Sequence, residues 1–122
     1  MLKALFSWLT SLFYTPPAPR TRDNRSIKRY VVRRESDVPD MPVDGALYLV
    51  MDGSGQAWLA VLRCPCGCGA TIQLPMTASS RPCWHFRGPS ERPGLWPSVR
   101  RSTGCRSHFI LRGGSVEWCR DP

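Results

Sequence analysis

Two clusters of candidate metal ligands, Cys64-Pro65-Cys66-Gly67-Cys68-Gly69 and Cys105-Arg106-Ser107-His108, constrain the fold of this chain more than any other feature. Thiolate sulfur and imidazole nitrogen are the usual donors to tetrahedral Zn2+, and a turn carrying two or three of them needs a second turn to complete the shell. If one cation holds both clusters, the chain between them must double back and bring two remote loops together. Glycines after Cys66 and Cys68, and before Cys105, allow the backbone angles that let neighbouring sulfurs converge. Five candidates, Cys64, Cys66, Cys68, Cys105 and His108, compete for four places, with Cys105 and His108 foremost. A closed set of four leaves no position for water and marks a structural ion; three ligands would leave room for a catalytic one.

Disulfides are the alternative. Cys64, Cys66 and Cys68 are too crowded to pair with one another, so each would need Cys83, Cys105 or Cys119 as a distant mate. That arithmetic allows a three-bridge scaffold, but His108 beside Cys105 and the interleaved glycines favour metal. Cys83, His85 and Cys119 offer a second site, against the plainer reading of small buried thiols and an ordinary polar histidine.

Twelve prolines and ten glycines are spread along 122 residues, which breaks up long helices and suits short strands joined by turns. With 42% hydrophobic and 21% charged residues, the chain can bury a core, and its length suits one domain. The expected class is a small, mostly-β, zinc-stabilised domain, with β-hairpins joined by metal-binding turns and an amphipathic helix ahead of it.

That helix is read over residues 1–14, where Leu2, Leu5, Phe6, Leu9, Leu12 and Phe13 recur at helical spacing and Pro16, Pro17 and Pro19 then stop it. It is too short to span a bilayer, and a lone Lys3 with Ser7, Thr10 and Ser11 interrupting the apolar run fits a secretion signal poorly. A cytoplasmic location is therefore expected. Self-docking competes with peripheral membrane contact or a partner-binding face at Leu5, Phe6 and Leu9. Residues 15–26 read as a basic, proline-rich linker, and residues 27–119 as the β-rich zinc-binding domain.

Within that domain, Tyr30-Val31-Val32 is a strand candidate. Residues 46–51 and 57–62 are two apolar runs flanking Asp52-Gly53-Ser54-Gly55-Gln56, the signature of a hairpin. Ile72, Leu74 and Met76 alternate with polar neighbours as in a half-buried strand. Residues 84–87 are a weaker strand signal, followed by a loop punctuated by Pro89, Pro93 and Gly94. Residues 108–112, Gly113-Gly114 and 115–119 close the domain as a second hairpin, with Phe109 and Leu111 sharing one face and Val116 and Trp118 another. Trp58, Trp84 and Trp118 read as core, and Trp96 as an exposed partner anchor.

The formal charge of +8 raises nucleic-acid binding, because seven of seventeen basic residues (Arg20, Arg22, Arg25, Lys28, Arg29, Arg33 and Arg34) fall between positions 20 and 34. A solvated basic linker explains the run equally well. Arg63 and Arg106 flank the clusters and would favour ionised sulfurs. No catalytic residue emerges: His85 lacks a glutamate two positions on, and His-Glu-x-x-His and Gly-x-Ser-x-Gly are both absent.

Taken in order, the Cys64 to Gly69 turn with Ile72 and Leu74, then Trp96-Pro97-Ser98-Val99, then Cys105-Arg106-Ser107-His108-Phe109-Ile110 and Gly114-Ser115-Val116-Glu117-Trp118 resemble a family of small bacterial and phage proteins. In that family a Cys-Pro-Cys-Gly-Cys-Gly turn precedes a Pro-Ser-Ile/Val element, a Cys-Arg-Ser-His-aromatic strand and a Gly-x-Val-x-Trp hairpin. The match covers about positions 46–119; Trp96 departs from the family's usual residues before Pro-Ser. The resemblance implies a zinc-binding fold and genes beside bacterial ubiquitin-like modifiers with E1-like, E2-like and metalloprotease companions. The leading expectation is therefore a non-enzymatic interaction module, an adaptor of a bacterial ubiquitin-like conjugation system in antiphage defence, whose partner is an E1-like, E2-like or ubiquitin-like protein. A zinc-ribbon-like nucleic-acid binder is the alternative, and a hydrolytic zinc enzyme the minor one.

Overall fold

The computed structural model describes residues 26–120. The expected helix over residues 1–14, with Leu5, Phe6 and Leu9, and the linker with Arg20, Arg22 and Arg25 lie outside the described residues.

Eight strands form two four-stranded sheets. The first contains β1 (Val31–Glu35), β2 (Ala46–Met51), β3 (Ala57–Arg63) and β4 (Thr71–Pro75) in that spatial order, and the second contains β5 (His85–Arg87), β6 (Gly94–Arg100), β7 (His108–Arg112) and β8 (Ser115–Trp118). All neighbours run antiparallel except β1, which joins β2 in parallel. The hairpin expected around Asp52 is present, and Asp52 Oδ1 accepts hydrogen bonds from the backbone N–H groups of Ser54 and Gln56, both at 2.9 Å. Gly113 and Gly114 turn the β7–β8 hairpin at φ 58° and 84°, angles that favour glycine.

Side chains alternate across each strand, so every second residue enters the space between the sheets. Leu47, Leu49, Ala60, Leu62, Ile72 and Leu74 from the first sheet pack with Leu95, Val99, Phe109 and Leu111 from the second in one core. Phe109 is completely buried and meets Trp118 edge-on, with ring centroids 5.8 Å apart. The other face of the first sheet is buried as well, at Ala46, Tyr48, Val50, Leu59 and Val61. A central strand covered on both sides reads as a continuous apolar run, which is why β2 shows little alternation. Trp58, expected in the core, is instead 40% exposed. Its neighbour Leu59 takes the buried position on β3.

The segment before β1 ties the two sheets together. Val116 N–H donates to Lys28 O at 3.0 Å and Tyr30 N–H to Gly114 O at 2.9 Å, after which the chain crosses to the first sheet. Arg34 then reaches back, donating to Ser90 Oγ at 2.8 Å and lying 5.9 Å from the Phe86 ring centre. Of the basic run, this arginine is held by the domain itself.

The largest departure from the sequence reading is β6, expected as loop. Its pairing with β7 steps from Leu95↔Leu111 to Val99↔Phe109, so four positions on β6 span two on β7. Trp96, Pro97 and Ser98 form the resulting bulge. Proline lacks the N–H that a regular ladder requires, but a bulge accommodates it.

Candidate active site and cysteine cluster

The first cluster is a knuckle between β3 and β4. Cys64 N–H donates to Ala70 O at 2.8 Å and Gly67 N–H to Cys64 O at 3.2 Å, and Gly67 and Gly69 both adopt φ 87°. The second cluster is the turn between β6 and β7, closed by Arg101 N–H to Ser107 O at 2.8 Å, with Gly104 at φ 66°. These turns meet. The Sγ atoms of Cys64, Cys66, Cys68 and Cys105 all lie within 4.8 Å of one another, with Cys64 to Cys66 and Cys64 to Cys105 both at 3.5 Å. Four sulfurs around a tetrahedral zinc would stand about 3.8 Å apart, so the residues fit such an ion. A disulfide needs about 2 Å between sulfurs, and all six cysteines are free.

Surrounding groups favour thiolates in part of the cluster. Burial pushes the Cys64 thiol up to about 12 and Cys66 upward as well. Burial also acts on Cys105, but hydrogen bonds led by Ser107 outweigh it and bring the thiol down to about 6. Ser107 is 1% exposed, with its hydroxyl 3.1 Å from Cys105 Sγ and 3.6 Å from Cys64 Sγ. Arg101 Nη1 lies 3.4 Å from Cys105 Sγ and 3.8 Å from Cys68 Sγ. Arg63, expected in that position, pairs with Asp44 at 2.7 Å.

His108, expected as a ligand, stands apart from this cluster, and strand alternation explains why. Ser107 and Phe109 point inward, so His108 between them points to the outer face of the second sheet. There its Nε2 lies 3.1 Å from Ser98 Oγ, presented by the bulge of β6. Among the described residues, no second cluster of three metal-ligating groups includes Cys83, His85 and Cys119. His85 instead lies beside Trp96, with ring centres 6.5 Å apart, and Trp96 is 55% exposed.

Ser98 was not among the site residues expected from the sequence, because no Gly-x-Ser-x-Gly elbow surrounds it. The available signal was that Pro97-Ser98 and Ser107-His108 both belong to the ordered motifs of the resemblance, on segments ten residues apart.

A serine hydroxyl resting on an imidazole nitrogen is the nucleophile and base arrangement of serine hydrolases. A model of the bacterial ubiquitination-like system serine protease family (BubE) matches residues 33–119, and the chain belongs to that family. No curated protein and no solved structure matches it. The family is named for a protease, which overturns the expectation of a non-enzymatic adaptor; the nucleic-acid-binding and hydrolytic-zinc readings give way with it. The ubiquitin-like setting implied by the resemblance agrees with the family's description.

Proposed function

We propose that the chain is a serine peptidase in which Ser98 is the nucleophile and His108 the general base, cleaving a peptide or isopeptide bond at a ubiquitin-like protein. The observation that carries this reading is the 3.1 Å separation of Ser98 Oγ and His108 Nε2. A hydroxyl is a weak nucleophile until a neighbouring base accepts its proton. With Nε2 unprotonated, His108 takes the Ser98 proton as Oγ bonds to the scissile carbonyl carbon. The imidazolium then returns that proton to the departing amine, the carbon–nitrogen bond breaks, and water hydrolyses the acyl-serine in a second cycle with the same base. A partner that is a ubiquitin-like protein is here a substrate.

The four cysteines, in this reading, hold one Zn2+ in a closed shell whose contribution is structural. Cys105 and Ser107 lie three and one residues before His108, so a fixed cluster fixes the start of β7 and the imidazole on its other face.

Incubation of the full chain with a fluorophosphonate tests the assignment. Mass spectrometry should find one adduct, on Ser98, absent from Ser98→Ala and strongly slowed in His108→Ala. An adduct elsewhere, or none in the folded protein, would overturn it.

A further inference from the structure

Beside the Ser98–His108 pair, on the same two strands, lies a cavity of about 400 Å³ lined by Arg87, Arg92, Arg112, Leu95, Trp96 and Ile110, together with backbone at Gly88, Gly94 and Gly113. Trp96 is two residues before Ser98 on β6, and Ile110 two after His108 on β7. Two residues of strand span about 7 Å, so the cavity opens within one or two substrate residues of the nucleophile. None of its lining residues is acidic. Arg112 pairs with Glu117 at 3.1 Å, whereas neither Arg87 nor Arg92 pairs with a carboxylate among the described residues. Hydrophobic walls with unpaired guanidinium groups suit an anion carried on an apolar stem. Guanidinium groups bind carboxylates in a planar two-pronged geometry, and a cleft of one charge sign concentrates the opposite sign.

We propose that this cavity is a specificity subsite for a carboxylate of the peptide substrate, held by Arg87 and Arg92 against Trp96 and Ile110. The inference rests on the Ser98–His108 reading for the position of the scissile bond. The carboxylate comes from an aspartate or glutamate close to that bond, or from a chain terminus just beyond it. In the second case the enzyme would remove very short extensions.

Binding to the full-length Ser98→Ala chain tests this without turnover. Acetyl-Ala-Glu-Ala-amide, acetyl-Ala-Gln-Ala-amide and acetyl-Ala-Ala-Ala with a free carboxyl end are titrated while the indole N–H resonances are followed by NMR. At least one of the two carboxylate peptides should bind about tenfold or more tightly than the glutamine peptide, the scale of a hydrogen bond to a charged group. Preference for the glutamate peptide identifies a side chain as the source, and preference for the free acid a terminus. The preference should vanish in Ser98→Ala with Arg87→Gln and Arg92→Gln. Equal affinity for all three, no binding, or a preference that survives the double arginine change would overturn the subsite. Fluorophosphonate labelling of the unmodified chain reports on Ser98 separately, so the two readings can fail independently.

Discussion

At the residue scale, the neighbours Ser107 and His108, at the entry to β7, divide two tasks between opposite faces. Ser107 faces the sulfurs and His108 faces Ser98. Replacing Ser107 with alanine removes the hydroxyl from Cys64 and Cys105, and outer contacts of this kind are worth about 10–100-fold in metal affinity. Competition against a chromophoric chelator should show a weakening in that range. Proton release offers a second check. Burial raises Cys64 to about 12 and shifts Cys66 upward, so both thiols are protonated near neutral pH and must ionise to bind an ion. Zinc added to the apo chain at pH 7.5 in weak buffer should release at least two protons, and its affinity should fall as pH is lowered. A titration that released none would exclude thiolate ligation. The cysteines were legible in the sequence because metal-ligand spacing is local. The departure of His108 was not, since a Cys-x-x-His spacing looks the same whether the histidine ends a turn or begins a strand.

At the element scale, β6 determines where Ser98 stands. Four residues opposite two make its chain bow outward at Trp96, Pro97 and Ser98. Deleting Trp96 and Pro97 together would leave the inward positions of Leu95 and Val99 in regular register while withdrawing the bow. The expected result is a β-type circular dichroism spectrum with fluorophosphonate labelling of Ser98 abolished. The core side of the next strand is less forgiving. Phe109 is fully buried between the sheets, and Phe109→Ala should cost about 3–5 kcal/mol, read as a lower urea midpoint at unchanged slope. The hairpins around Asp52 and Gly113-Gly114 were legible from turn chemistry, and β4 from alternation. By contrast, β6 was hidden because Pro93, Gly94 and Pro97 are the residues that usually interrupt a strand. Only pairing with β7, a contact the local sequence does not encode, shows that they are tolerated.

At the scale of the whole molecule, the cysteine cluster joins the β3–β4 turn of one sheet to the β6–β7 turn of the other. A small two-sheet domain has limited apolar surface to offset its ordering entropy, so a cross-link between layers contributes strongly. Removing bound metal with a strong chelator should lower Tm by at least about 10 °C, corresponding to a loss of a few kcal/mol for a domain of this size. On the proposed peptidase and zinc assignments, hydrolysis should slow in parallel, and both should recover when zinc is added back. The sequence conveyed the joining of remote loops and the β-rich class, because both follow from composition and ligand spacing. The Ser98–His108 pair was not visible in the same way: it depends on register between two strands and on which face each side chain takes.

The outer surface of the second sheet has one further consequence. On β7 His108, Ile110 and Arg112 alternate with the inward Phe109 and Leu111, and on β6 Trp96, Ser98 and Arg100 stand outward around the inward Leu95 and Val99. Recognition and stability are thereby written in interleaved letters of the same two strands, so mutation can diversify one register while the other stays constant. On the proposed peptidase reading, a library varying only the outward letters other than Ser98 and His108 should yield folded proteins with altered cleavage preferences, measured by peptide cleavage beside circular dichroism.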